Sequence, residues 1–299
     1  MKLVEDEHIS LDCDQGAIRK IIYNVDGEYC LTCGSNKTLK LWNPKKKLQL
    51  QTYTGHGMGV MDAQCSVDSS QIVSASQDKT VIVWDVSTAQ PMRRYRAHMA
   101  SVNCVSFNED SSVILSGSVD GTVKIWDTKG HSKEPIQVLD EAKDSISYLA
   151  ITDHEIASVS LDHHVRRYDL RKGIMESDCL HAPLTYLKFT NDDQCLLVSC
   201  LNSRLRLLDK STGSILTEFK GHLNKEYRID SALIMNDSFI VSGSEDGAIY
   251  IWSLLEASIE TKLTHPHKVV HTLDVHPSEL ELISSGDNML HVWSLKQET

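Results

Sequence analysis

The chain has 299 residues, of which 41% are hydrophobic, and a formal charge of −11 at pH 7. That acidity excludes a large basic face for nucleic acid, leaving room only for a local patch. No apolar run approaches the roughly 20 residues that a membrane-crossing helix needs.

The first stretch, Met1 to Asp12, carries Glu5, Asp6 and Glu7 where a signal peptide needs an apolar core. This sets the expectation of an intracellular protein whose eight cysteines are reduced core residues. Within it, His8, Ile9, Ser10 and Leu11 alternate polar and apolar, so His8–Asp12 reads as a strand. The unit that follows has no place for this strand.

From there a repeat governs the chain. The tryptophans stand at Trp42, Trp84, Trp126, Trp252 and Trp293, with gaps of 42, 42, 126 and 41 residues. Two degenerate copies, at Tyr168 and Leu208, fill the long gap. Six residues before each of these seven positions is an Asp or Asn: Asn36, Asp78, Asp120, Asp162, Asn202, Asp246 and Asp287. A period of about 40–45 residues is that of WD repeats, each a four-stranded propeller blade. Apolar runs alternate with Asp, Asn, Gly and Ser turns, as in hairpins of short strands. The turn Asp or Asn accepts local backbone hydrogen bonds and shapes the turn between strands two and three.

Three copies hold further polar groups in register. His56, His98 and His222 precede the first strand. Ser74, Ser116 and Ser242 stand four residues before Asp78, Asp120 and Asp246, which lead to Trp84, Trp126 and Trp252. In WD repeats such a His, Ser, Asp and Trp form one buried network, which stiffens a blade when every member is satisfied. The set resembles a catalytic triad, but it recurs once per repeat, which marks it as scaffold chemistry rather than an enzyme site.

The last repeat supplies three strands, about Val269–Val275, Leu280–Ser284 and Met289–Trp293. The expectation is a single all-β domain over residues 1–299, a seven-bladed WD40 β-propeller. The N-terminal strand is added to blade seven and closes the ring, leaving only short protected edges.

The wording of the repeats narrows the family. YCLTCGSNKTLKLWNP (Tyr29–Pro44), VILSGSVDG (Val113–Gly121), DHEIASVSLDHHVRRYDLR (Asp153–Arg171), LRLLDK (Leu205–Lys210) and GHLNKEYRID (Gly221–Asp230) resemble the mitogen-activated protein kinase organiser family of WD-repeat proteins. The resemblance runs from about Leu11 to Leu295 and includes the degenerate fourth and fifth repeats. It implies a non-catalytic scaffold that gathers kinases of the Raf–MEK–ERK cascade. It also implies association with spliceosomes, as a structural protein subunit in pre-mRNA splicing, and residence in cytoplasm and nucleus. A monomer without cofactor or metal, binding proteins rather than a nucleic-acid sequence, is expected. No family motif assigns contact residues.

Other constellations read as structural. Cys30 and Cys33 form C-x-x-C without a second pair. In a strand they face opposite sides, which suits a core and not a metal. His163-His164 and His265-Pro266-His267 read as turn or loop histidines. No phosphate-loop or dinucleotide motif is present. Lys45-Lys46-Lys47-Leu48-Gln49-Leu50 resembles a kinase docking peptide, but it falls on a hairpin, and such peptides bind as free extended segments.

Two departures from the repeat are informative. Arg167 stands where the other repeats place Leu41, Val83, Ile125, Leu207, Ile251 and Val292. A buried Arg needs a partner, so an ion pair within blade four is expected. The competing reading joins it to Arg166, Arg171, Arg204 and Arg206 as a receptor for an acidic segment. The second departure is apolar. Just before the turn Asp or Asn, a position on the top face of the ring, stand Val119, Leu161 and Leu201. Met58 and Met99 lie in loops on the same face. An apolar patch with Lys143, Asp144 and Glu245 as polar rim is the candidate partner surface.

Overall fold

The computed structural model describes residues 2–130, 132–266 and 269–298. Its strands form seven four-stranded antiparallel sheets. The first strand, β1 (Lys2–Asp12), belongs to the last sheet. Then β2–β5 (18–54), β6–β9 (60–95), β10–β13 (102–139), β14–β17 (146–179), β18–β21 (184–219) and β22–β25 (231–264) build blades one to six. Blade seven has the order β1-β28-β27-β26, with β26 (Thr272–Val275), β27 (Glu281–Gly286) and β28 (Met289–Glu298). The strand nearest the channel is thus shorter than expected from the sequence, and both closing strands are longer.

The blades are held side by side by seven apolar clusters, each spanning two neighbours. The residue six past the turn lies in the cluster shared with the preceding blade. Trp84 packs with Leu31 and Leu39, Trp126 with Val73 and Val83, and Tyr168 with Leu115 and Val123. Leu208 meets Ala157 and Val165, and Trp252 meets Leu197 and Leu205. Trp293 reaches Val241 and Ile249, and Trp42 reaches Ile283 and Leu290 across the seam. The repeat is therefore a ladder of wedges. Each interface needs a large apolar body at this place, which is why Tyr168 and Leu208 serve where Trp is lost.

The seam depends on a bulge. β1 pairs with β28 from Lys2↔Glu298 to Asp12↔Met289, with a register shift between Glu5 and Glu7. One extra residue moves the following side chains to the opposite face. Before it, Leu3 is buried against the blade-six side. After it, Ile9 and Leu11 pack on the blade-one side, while His8 stacks on Trp293 with ring centroids 4.1 Å apart. A single strand thereby closes both flanks of blade seven.

Cys30 and Cys33 are both buried, Cys30 in the cluster between blades seven and one and Cys33 in that between one and two. They lie on opposite faces of their strand. The Lys45–Leu50 segment turns through Lys47 (φ 54°) into β5 (Leu48–Thr54), and Lys45 is anchored to Glu279 at 2.7 Å.

Because each wedge fills its own interface, Trp126→Ala is expected to cost about 3–5 kcal/mol. Urea unfolding monitored by far-ultraviolet circular dichroism measures this, and an unchanged midpoint would remove the wedge as the source of cohesion.

Candidate functional site

Blades two and three carry complete polar networks. Trp84 Nε1 donates to Ser74 Oγ at 2.8 Å, Ser74 Oγ lies 2.7 Å from His56 Nε2, and His56 Nδ1 lies 3.2 Å from Asp78 Oδ2. Blade three repeats this with Trp126, Ser116, His98 and Asp120 at 2.8, 2.8 and 3.0 Å. The direction of the chain follows from its ends. The indole only donates and the carboxylate only accepts, so the protons point from Trp through Ser and His to Asp. Each Asp also accepts from the loop leading into its blade, Asp78 from Gly57 N at 2.6 Å and Asp120 from Met99 N at 2.8 Å. Burial alone would raise both carboxyls, but hydrogen bonds from His, Thr and backbone hold them well below the usual range. The networks thus pin the top-face loops to the buried Trp.

Blade one runs the same relay with other residues. Trp42 Nε1 donates to Thr32 Oγ1 at 2.9 Å, and Thr32 donates to Gln15 Oε1. Gln15 Nε2 donates to Thr38 Oγ1 at 3.1 Å, which donates to Asn36 Oδ1 at 2.7 Å. Gln15 and Thr32 are absent from the sequence-level set, which looked for His and Ser. Their positions, before the first strand and four residues before Asn36, are the signal that could have found them.

Blade six departs from the expected network. Ser242 Oγ donates to Gly243 O, and Trp252 Nε1 to Lys220 O at 3.0 Å. Asp246 instead accepts from Tyr250 Oη at 2.6 Å and Lys262 Nζ at 2.9 Å. A phenol and an ammonium, absent at these places in blades two and three, draw the carboxylate away. His222 keeps an edge contact to Trp252, but neither ring nitrogen has a hydrogen-bond partner among the described residues. Burial lowers its pKa to about 4, so the ring is neutral at pH 7.

The top face carries the apolar residues unevenly. Met99 is 79% exposed, Met58 51% and Val119 46%. Leu161 and Leu201 are half-buried. The expected arc of Val119, Leu161 and Leu201 is therefore displaced toward blades two and three. Lys143 and Asp144 are exposed. Glu245 is no free rim charge, because its Oε1 accepts from the backbone of Lys225, Glu226 and Tyr227 at 2.8–3.0 Å. The loop it holds presents Tyr227, 40% exposed and not singled out from the sequence.

Comparison with known proteins bears on what such a ring is. The family model described as WD domain, G-beta repeat matches residues 7–43, 47–85, 89–127, 213–253 and 258–294. The chain is 57% identical to WD repeat domain-containing protein 83 of Rattus norvegicus over 290 residues, 97% of this chain and 91% of that protein. It is 56% identical to the protein of that name from Homo sapiens over 95% of this chain and 90% of that protein. An uncharacterized WD repeat-containing protein of Schizosaccharomyces pombe is 49% identical over 87% and 88%. The chain belongs to the WD repeat domain-containing protein 83 family. The WD40 propeller of this family is an interaction fold for protein partners, typically non-catalytic.

The repeat model passes over residues 128–212, which hold blade four and the first three strands of blade five of this family member. There, arginines replace the relay. Arg166 binds Asp162 through two bonds at 2.6 and 3.1 Å. Arg167 is buried and pairs with Glu176 at 2.8 Å and Asp178 at 2.9 Å, both on β17 (Ile174–Cys179) of its own blade. Arg204 and Arg206 share Glu218. Four of the five arginines of the competing reading thus have carboxylate partners within their own blades, and Arg171 is exposed. His163 occupies a left-handed turn position (φ 75°) and His164 opens β16 (His164–Asp169). His265 is buried beside His291 and Trp293, and His267 lies outside the described residues.

The family member's channel holds a cluster that sequence reading missed. Lys20 of blade one reaches Asp230 at the start of blade six, 3.0 Å away, with both side chains buried. Thr272 Oγ1 donates to the same carboxylate oxygen at 2.6 Å. Arg228 donates to Asn103 O and Met61 O, binding blades three and two. Burial opposes the charge on Lys20, and Asp230 overrides it, raising its pKa well above the ordinary value. Burial raises Asp62, against the opposing charges of Lys20 and Arg228.

A pH test follows from the relay. Asp120 has a folded pKa depressed below the unfolded value, so its contribution is present above about pH 4 and is lost as pH falls toward the folded pKa. Asp120→Asn should lower the melting temperature at pH 7, and the gap to the parent protein should narrow as pH drops from about 5 to 2. Thermal melts across that range check it. A gap that stays constant would mean the carboxylate's ionisation contributes nothing.

Proposed function

We propose that this chain is a non-catalytic scaffold that gathers components of a Raf–MEK–ERK kinase cascade on its top face. What carries the reading is a set of exposed apolar side chains, Met58, Met99 and Val119, on loops that buried networks hold rigid. Preorganised apolar anchors reduce the ordering cost of binding, and a ring with several such loops holds partners together and raises their effective concentration. The resemblance of the repeats supplies the identity of those partners. It also supports a second role as a structural protein of the spliceosome, with residence in cytoplasm and nucleus. The charge of −11 favours contacts there with protein rather than RNA.

Met99→Asp combined with Val119→Asp is expected to weaken capture of at least one cascade kinase by about tenfold or more, the effect of losing a buried apolar anchor. The melting temperature should stay within a few degrees, as for other exposed substitutions. Binding to purified Raf, MEK and ERK kinases, measured beside a thermal melt, checks both. Unchanged affinity for all of them from a folded variant would refute the top-face reading.

A further inference from the structure

Between blades two and three, at the edge of the top face, lies a cleft of about 430 Å³ lined by Gly55, Gly57, Asp78, Lys79, Thr80, Arg94, Arg96 and His98. Three of its side chains are cations and one is a carboxylate, on a chain whose net charge is −11. The carboxylate is engaged, since Asp78 accepts from His56, Gly57 N and Thr80. Among the described residues, none of Lys79, Arg94 and Arg96 has a carboxylate within 4.0 Å.

The other blades show why this is unusual. Arg94 faces Ile82 on the third strand of blade two, as Lys262 faces Tyr250 in blade six. In blade six the turn carboxylate Asp246 takes Lys262 at 2.9 Å. In blade two the relay has captured Asp78, and Arg94 turns to a carbonyl, Gly55 O, at 2.7 Å. Two residues on, Arg96 adds a second guanidinium where blade three has Asp140, and Lys79 adds an ammonium where blade three has Gly121. Arg96 and Lys79 are exposed. The cleft therefore holds three cations to one carboxylate, and that carboxylate is bonded elsewhere.

We propose that this cleft binds a phosphorylated serine or threonine in an extended segment of a protein partner. A phosphate monoester carries a charge of about −1.5 to −2 and three acceptor oxygens, enough to meet two guanidinium groups and an ammonium together. A side-chain carboxylate offers two oxygens and one charge, a match for one guanidinium fork. A nucleic-acid strand needs a track of cations along its backbone, whereas this group is confined to one cleft of an acidic protein. Met58 follows Gly57 and Met99 follows His98, so the cleft adjoins the apolar part of the top face. The inference rests on the reading of the top face as a partner surface and adds the chemistry the partner carries.

The test uses the full chain and three fluorescent probes. Two are degenerate short peptide libraries, identical except for a central phosphoserine or serine, and the third is a single-stranded DNA oligonucleotide. Anisotropy should show the phosphoserine library bound about tenfold or more tightly than the serine library, as charge-assisted bonds give. Arg94→Gln with Arg96→Gln should abolish the difference. If loss of the Arg94 bond to Gly55 O unfolds the first pair, Lys79→Gln with Arg96→Gln replaces it, since both side chains are exposed. Equal binding of the two libraries overturns the proposal, as does a difference that survives removal of the cations. Tighter, Arg96-dependent binding of the oligonucleotide would overturn it in favour of nucleic acid. These outcomes concern phosphate recognition alone, and kinase capture by the apolar residues is read separately.

Discussion

Cohesion between neighbouring blades is the constraint on which the ring depends, and one large side chain per blade supplies it. Each sheet is only four strands wide, with two faces that must both be covered. The wedge six residues after the turn covers the face toward the preceding blade. Because this demand repeats around a closed circle, no blade can omit it, and the seam between blades seven and one meets it with Trp42 like any other interface.

The polar relays are built on the wedge. An indole must place its N–H when buried, and in blades one, two, three and seven that proton goes to a hydroxyl: Thr32, Ser74, Ser116 or Ser284. In blades two and three the relay then reaches a turn carboxylate and, through it, the backbone of a top-face loop. Where blade four replaces Trp by Tyr, the phenol is directed to Glu141 at 2.9 Å and the turn Asp is taken by Arg166. Satisfying a buried core donor therefore decides which charges remain available at the surface.

Much of this was legible in the sequence because the wedge and the turn are local, repeated and restricted to few residue types. The missing fourth strand of the last repeat, with an orphan strand at His8–Asp12, pointed to the closure in the same way, although the bulge at Glu5/Glu7 and the extension to Lys2 left no pattern to read. Arg167 could be assigned a partner in its own blade since a buried guanidinium demands one. The rest turned on surroundings that the spacing of a single repeat does not name. His222, Ser242 and Asp246 have the right spacing, but Tyr250 and Lys262 outbid His222 for the carboxylate. Leu161 and Leu201 share their place in the repeat with exposed Val119, so spacing does not distinguish their half-burial. Lys20 and Asp230 come from distant repeats, and no local spacing announces their meeting in the channel.

The pairing of β1 with β28 also sets an order of events during synthesis. A chain made from its N-terminus produces β1 first and its partner after all the other strands. Domains fold as they emerge, and unpaired strand edges are the species most open to misassociation. Until Met289–Glu298 has left the ribosome, β1 is a strand without a sheet, and blade one lacks the neighbour that covers Trp42. Closure is then a long-range pairing of the slow kind, completed only once β28 is available. The nascent ring is thus held open until β28 has been made, an interval in which a chaperone has a defined edge to guard.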